Sequence, residues 1–347
     1  MELRVGLIGY GVAGAHFHAP LIAADPDLRL DVVVTRGRRE QARAAHPDAT
    51  VVDDLGGLLE RAGDLDLAVV ASPNRMHHEH TAALLDAGLP VVVDKPFTPT
   101  AAAGRALIER AAAAGLMLTV YQNRRWDSDL RTLEALLRDG ALGRVHRFES
   151  RFERWVPSPK PGWRESGGPE EAGGVLYDLG SHLVDQALHL FGPVAAVYAE
   201  IDCLRPGAEV DDDAFLALSH RSGVRSHLWM GKFAAQHGPR LRVLGDRAGF
   251  TKHGFDPQEA ALRAGDVPGG PEWGAEPEER RGLLGTPDDS RPVPGLPGDY
   301  PAFYRGVVAA LRDGAAPPVD PADAVAGLGV IEAARRSAAG STVERLD

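Results

Sequence analysis

The run "VGLIGYGVAGAHFHAP", Val5 to Pro20, restricts the fold more than any other stretch of the chain. An apolar strand pattern leads without a break into Gly9, Gly11 and Gly14, and a helical pattern, Ala13 to Ala24, opens among them. Glycine at the mouth of a buried strand gives up side-chain packing and costs chain entropy, so three of them there signal a close approach to the backbone. Gly9 permits the tight turn, Gly11 admits a pyrophosphate, and Gly14 lets helix and strand pack closely. The phosphates then meet the free N–H groups and the positive dipole end of the helix. Val12 and Ala13, between the last two glycines, belong to the same cradle. The spacing alone also fits a tight turn with no ligand; its place between strand and helix favours a dinucleotide.

The next hundred residues repeat this alternation. Strand patterns "LRLDVVVT", "ATVVDD", "LDLAVVAS", "LPVVVDKP" and "LMLTVYQN" are separated by helical ones such as "MHHEHTAALLDAG" and "TAAAGRALIERAAAAG". Continuous Val/Ile/Leu runs between helices predict a parallel sheet covered on both faces. After Asn123 the period changes. A helix over Asp129 to Arg138 precedes "RVHRFESRFERW", which alternates as a half-exposed strand does, and a helix over Ser181 to Phe191 leads to more alternating runs. Residues 264–298, rich in Gly, Pro and charge, read as a long surface excursion, and two helical patterns close the chain. The expected class is α/β: an N-terminal Rossmann dinucleotide-binding domain, residues 1–123, and a C-terminal α+β domain with an open, mainly antiparallel sheet, residues 124–347.

The end of the second strand decides the dinucleotide. An NAD site places an acid there, about 20 residues after the glycines, for the ribose hydroxyls. Here the sequence is "VVVTRGRR", so Thr35 and Arg36 stand where the acid would be, with Arg38 and Arg39 beyond. A hydroxyl and a guanidinium suit a 2′-phosphate. The expectation is NADP(H) in preference to NAD(H), against the plainer reading of a solvated arginine loop.

Composition narrows the partners. A net charge of −11 disfavours nucleic acid and anionic membrane surfaces. The single cysteine, Cys203, excludes an internal disulfide, and no Cys/His zinc spacing occurs. No apolar run is long enough for a bilayer, and the strand pattern from Leu3 leaves no room for a signal peptide. The expected location is the cytoplasm.

Ser72, Pro73 and Asn74 fall at the carboxyl end of the fourth strand, where open α/β sheets bind ligands. His77, His78 and His80 follow; three histidines so spaced cannot all face one ion from a regular helix, and a helix start beside the cofactor is the better reading. Lys95 ends the next strand, either pointing into the cofactor crevice or lying at the surface. In "GGVLYDLGSHLVDQ", Asp178 and His182 are four apart and share a helix face if the helix begins early enough. The same stretch also fits a helix capped by Asp178 or Ser181 with a solvated His182. A metal held by Asp178, His182 and Asp185 is not needed for hydride transfer to a nicotinamide, and no metal is expected.

On Gly9-x-Gly11-x-x-Gly14, Asp94-Lys95-Pro96, and Gly173-Gly174 leading to Asp178-x-x-x-His182, the chain resembles the glucose–fructose oxidoreductase / inositol dehydrogenase / MocA family over nearly its whole length. That family usually has Glu where this chain has Asp94. "FHAPLI", "DKPFT", "NRRWDSD", "GWRESGGP" and "GDYPAFY" further resemble a subgroup that includes NADP-dependent scyllo-inositol dehydrogenases. The resemblance implies an open-sheet domain whose exposed face builds a dimer or tetramer, and Lys95, Asp178 and His182 as the catalytic set. The chemistry suits these types. A histidine exchanges protons near neutral pH, a lysine stabilises an oxyanion, and a carboxylate orients the histidine or a hydroxyl. Asn123, with the cofactor and the substrate, and Arg124, Trp163 and Arg164, with the substrate, complete the expected contacts to a polyol or sugar. Two alternatives stand beside this dehydrogenase: a non-catalytic dinucleotide sensor, which has no need of the trio, and an enzyme that oxidises and re-reduces its substrate on a tightly held nicotinamide.

Overall fold

The computed structural model describes residues 2–159, 162, 165 and 167–346. They form two compact units, Met1–Asn123 with Gln258–Trp273 and Asp299–Val325, and Arg124–Pro257 with Gly274–Gly298 and Ala326–Asp347.

In the first unit six parallel strands lie in the order β3-β2-β1-β4-β5-β6. They are β1 (Leu3–Ile8), β2 (Leu28–Val34), β3 (Thr50–Val52), β4 (Leu67–Val70), β5 (Val91–Asp94) and β6 (Leu118–Tyr121). Every residue of β4, β5 and β6 is buried, which is why these strands read as unbroken apolar runs. The order reverses direction between β1 and β4, so the carboxyl ends of those strands flank the crevice where such sheets bind ligands. The helix after β1 is continuous from a π-helical turn, Gly14–His18, into α1 (Ala19–Ala24). The other connecting helices are α2 (Arg39–Ala45), α3 (Leu55–Leu59), α4 (His77–Asp86) and α5 (Ala101–Ala114). Thr100 caps α5 through the Ala103 N–H at 3.2 Å, and Gly115, at φ +66°, ends it.

The single cut expected after residue 123 needs correction. Gln258–Trp273 and Asp299–Val325 pack with the first unit. The first of these stretches holds α8 (Gln258–Ala264); in the second, α9 (Pro301–Asp313) buries Phe303, Tyr304 and Val307, and Thr119 Oγ1 on β6 donates to Val319 O at 2.7 Å. Helical periodicity shows that a face is buried, but not which body buries it.

The second unit is built on nine strands in the order β14-β13-β12-β11-β7-β10-β9-β8-β15. Its centre is β7 (Val145–Glu153), β8 (Val194–Asp202), β9 (Asp213–His220), β10 (Arg225–Gly231) and β11 (Leu241–Gly245). Only the β7–β10 pair is parallel among the described residues. Along β9 buried and half-exposed residues alternate, as a sheet with one open face requires. Against β7 and β10 lies α7 (Ser181–Phe191), joined through His189 Nε2 to Glu134 Oε1, 2.6 Å away, on α6 (Ser128–Arg138). The presumed excursion over 264–298 is instead partly sheet: β13 (Gly282–Gly285) and β14 (Ser290–Val293) form a hairpin on β12 (Gly249–Lys252). A buried ion pair, Lys252 Nζ to Glu276 Oε1 at 2.9 Å, ties the segment down. Glycines and Pro292 hide these strands from any propensity argument. The opposite end of the sheet is β15, only Glu344–Arg345. Among the described residues no helix is long and apolar enough to cross a membrane.

Candidate functional site

The glycine turn separates what the protein needs from what a ligand needs. Gly9 has φ +97°, and a Cβ there would lie 2.4 Å from Ala71 O. A Cβ on Gly14 would lie 1.9 Å from Gly9 O, so the helix start could not pack over the strand end. At Gly11, by contrast, a Cβ would meet nothing within 4 Å among the described residues. The first two are required by the fold, and the third keeps an outward space clear. That open cradle at a helix start, at the carboxyl end of β1, fits the pyrophosphate of a dinucleotide.

Around the adenosine end the cations are unequal. Thr35 is half-buried, with its N–H on Val52 O at 2.9 Å. The Arg36 side chain is 79 % exposed and 3.9 Å from Asp54. Arg39 is paired with Asp53. The Arg38 charge is felt at Tyr10 and His16, beside the glycine turn. Burial, with Arg263 and Arg38 adding to it, holds His16 below the usual imidazole range.

Ser72 and Asn74 are buried at the end of β4. His77, expected at the cofactor, is held by the backbone around it. It is fully buried, with Nδ1 2.8 Å from Pro96 O and Nε2 2.9 Å from Ser72 O, so both ring nitrogens are engaged by backbone. It braces the turn after β4 against the turn after β5, which carries Lys95. His80 Nδ1 is 3.0 Å from Ser72 Oγ. Asn123 is buried at the head of a short 3-10 turn, Asn123–Trp126.

In the second unit, His182 and Asp178 lie on one continuous helix, because a π-helical turn, Leu176–Gly180, precedes α7. Neither Asp178 nor Ser181 caps it. The start is held from outside: Asp211 Oδ2 accepts the Leu176 N–H at 2.8 Å, and a Cβ on Gly174 would stand 2.3 Å from the same carboxylate. His182 is 5 % exposed, near-parallel to the Phe152 ring at 6.4 Å. Asp178 is 3.9 Å from Lys232 Nζ, which also donates to Glu165 Oε1 at 2.8 Å. Burial works to raise the Glu165 carboxyl, but Lys232 and Arg205 outweigh it and hold it low.

One turn beyond His182, Asp185 receives two bonds from Arg125, at 2.9 and 2.6 Å, both side chains nearly buried. Gln186 Oε1 accepts from Arg240 at 2.9 Å, and its amide donates to Arg124 O at 3.1 Å. Arg124, expected among the substrate contacts, is also part of this frame. It is buried, with Nη1 3.2 Å from Asp127 and its guanidinium 4.6 Å from the Phe152 ring centre. Burial pushes the Asp127 carboxyl up to about 8; Arg124 opposes this and the Asp256 carboxylate adds to it. Asp185 is consumed by Arg125, and among the described residues no group of three or more His, Cys, Asp or Glu is arranged for a metal. Trp163 and Arg164 lie outside the described residues. The frame residues Arg125, Gln186, Asp211, Lys232 and Arg240 carry no local signal, since each partner is distant in sequence.

Residues 3–122 match the model of an oxidoreductase family's NAD-binding Rossmann fold, and residues 134–345 that of the same family's C-terminal alpha/beta domain. The chain is 37 % identical to scyllo-inositol 2-dehydrogenase (NADP(+)) IolW of Bacillus subtilis over 339 residues, 96 % of this chain and 93 % of that one. It is 39 % identical to the uncharacterized oxidoreductase YdgJ of Escherichia coli over 341 residues, 97 % and 96 % of the two chains. The structure of the putative oxidoreductase yvaA from Bacillus subtilis superposes with a TM-score of 0.94 at 36 % identity, covering 99 % of this chain and 98 % of that one.

Proposed function

The chain belongs to the glucose–fructose oxidoreductase / inositol dehydrogenase / MocA family of oxidoreductases, and from that premise we propose that it is an NADP(H)-dependent dehydrogenase acting on a secondary alcohol of a cyclic polyol or sugar. When bound, the nicotinamide supplies the acceptor or donor of hydride. The chain supplies the rest. Gly9, Gly11 and Gly14 seat the pyrophosphate, and Thr35 with Arg36 or Arg38 receives the 2′-phosphate. His182 takes the hydroxyl proton during oxidation and returns it during reduction. Lys95 stabilises the charge that develops on the oxygen. Asp178, set by Lys232, orients the histidine or a neighbouring hydroxyl.

The observation that carries this reading is the frame around His182. Two bonds from Arg125 to Asp185 and two from Gln186 fix the helix one turn beyond the histidine, an investment that a dinucleotide sensor does not require. A panel of inositols and sugars with NADP, followed at 340 nm, tests it; a substrate consumed without net absorbance change would indicate a transiently used nicotinamide instead. On the substrate found, His182→Ala is expected to lower kcat by about 10²–10⁴-fold with NADP binding retained. A folded His182→Ala protein turning over at the wild-type rate would remove the residue from the mechanism.

The open sheet face supports a second part of the proposal, a homo-oligomer. Phe215 and Trp229 lie 5.0 Å apart there, with the Arg151 guanidinium 3.9 Å from the Trp229 ring centre. Such a half-exposed aromatic face suits a second copy of the chain. Light scattering at micromolar concentration is expected to give at least the dimer mass; a monomer would refute it.

A further inference from the structure

Asp94 ends β5 directly before Lys95, and the chemistry above leaves it without a role. Its carboxylate reaches inward: Oδ1 is 3.4 Å from His18 Nε2. His18 is fully buried in the π-helical turn that follows the glycines. Such turns insert one residue and redirect the side chain they carry. On its other side, His18 Nδ1 is 2.7 Å from Tyr304 Oη, and Tyr304 is fully buried as well. The Tyr121 ring packs on the imidazole with centroids 4.4 Å apart. All these residues belong to the first unit.

The direction of the His18–Tyr304 hydrogen bond follows from the ionisation of the groups at either end of the row. Burial, and then the Asp94 charge, keep the Tyr304 phenol well above its usual range, so its O–H donates to Nδ1. The Nε2–H then faces the carboxylate. Burial works to raise the Asp94 carboxyl, but His18, then Lys95 and His77, outweigh it and hold it below the usual range. The groups facing Asp94 are thus His18 from the helix after β1, Lys95 from the turn directly after β5, His77 from α4 and Tyr304 from α9. An unsupported carboxylate so deep would take up a proton or leave the site.

We propose that Tyr304, His18 and Asp94 form a positioning chain for Lys95, holding an ionised carboxylate at the end of β5 so that the lysine beside it is presented in one fixed geometry and charge environment. The proposal rests on the dehydrogenase reading for the role of Lys95, but the chain itself is measurable without a substrate. It also accounts for two motifs with no other task, "FHAP" around His18 and "YPAFY" around Tyr304.

The test titrates the Asp94 side chain by carbon NMR in protein labelled at the aspartate carboxyl, with Asp94→Asn to assign the resonance. In His18→Leu its midpoint is expected to rise by about 1 unit or more. In His18→Gln, whose amide N–H replaces Nε2–H, it is expected to stay near the wild-type value. Tyr304→Phe, which keeps the ring and its packing, is expected to fall between the two and serves should His18→Leu not fold. An Asp94 midpoint unmoved in His18→Leu and Tyr304→Phe, or a His18→Gln protein that behaves like His18→Leu, overturns the chain. Once a substrate is in hand, the acid limb of kcat/KM is expected to move upward in His18→Leu. Its kcat should fall about tenfold or more, from the lost alignment, with dinucleotide affinity unchanged and with rescue in His18→Gln. Mere loss of stability would lower the melting temperature and leave that limb in place. An NMR result as expected, with no turnover of any polyol by the wild type, would sink the substrate reading alone.

Discussion

Gly11 in the first unit and His182 in the second are the residues on which the proposed function turns, and their surroundings differ in kind. Around Gly11 the work is done by backbone, by a missing side chain and by residues within a few positions along the chain. Around His182 it is done by charged side chains from Arg125, Asp211, Lys232 and Arg240, whose partners stand 60, 35, 67 and 54 positions away. A backbone cradle tolerates change everywhere except at its glycines. A buried polar frame fails whenever one member is lost, because the partner is left without compensation.

The largest effect that would break this comparison is at Arg125. Arg125→Leu leaves Asp185, 5 % exposed at its side chain, without its cation, and about 3–5 kcal/mol of stability is expected to go with it in urea unfolding. Adding Asp185→Leu should restore much of the loss, since two apolar groups replace the pair. A single variant as stable as the wild type would show that the second unit does not depend on its frame.

Next come the glycines, which sharpen the contrast within the first unit. Gly14→Ala forces a Cβ against Gly9 O and is expected to destabilise the fold by about 1–3 kcal/mol. Gly11→Ala meets no atom of the described residues, so the melting temperature should hold while NADPH affinity, read by fluorescence titration, falls about tenfold or more. Equal loss of stability in both variants would mean that Gly11 serves the fold and not the ligand.

The smallest effect concerns cofactor choice. Arg36→Ala and Arg38→Ala are each expected to weaken NADP by about two- to fivefold, the range of an exposed ion pair, and to leave NAD nearly unchanged. The Arg38 charge, felt at Tyr10 and His16, predicts that it contributes the larger share. Equal or tighter binding of NAD by the wild type would defeat the NADP assignment altogether.

The same contrast explains what could be read without a structure. The six-stranded sheet was legible because its buried strands are unbroken Val/Ile/Leu runs and its helices carry local punctuation such as Thr100 and Gly115. The cradle was legible because its three glycines lie within six residues. His182 and Asp178 were legible as a shared helix face, and their motif tied them to the family. Lys232, Arg240 and Asp211 were not, since a lone lysine, arginine or aspartate in an alternating strand region looks like any solvated charge. His77 and Arg124 show the converse: a polar residue beside a ligand-binding edge carries no local sign that it also satisfies backbone or a buried acid. The β13–β14 hairpin was hidden because its residues have no preference for the extended state and pair only where β12 offers them a partner.

The two ends of the nine-stranded sheet bear on how the protein behaves when crowded. An open edge with unpaired N–H and C=O groups is a template on which further chains can stack without limit. Here one edge is β14, where Pro292 has no N–H to offer and Arg291 adds a charge, and the other is β15, only two residues long. β15 pairs with β8 only at Ala196 and Val197, and further along that strand the Ala199 N–H is taken by Ser337 Oγ at 2.9 Å, so neither end offers a full-length ladder and strand-by-strand growth is discouraged. What the sheet leaves available is its broad aromatic face, and face-to-face pairing by a two-fold axis is self-limiting. A second copy on that face, as proposed above, would therefore close the assembly instead of extending it.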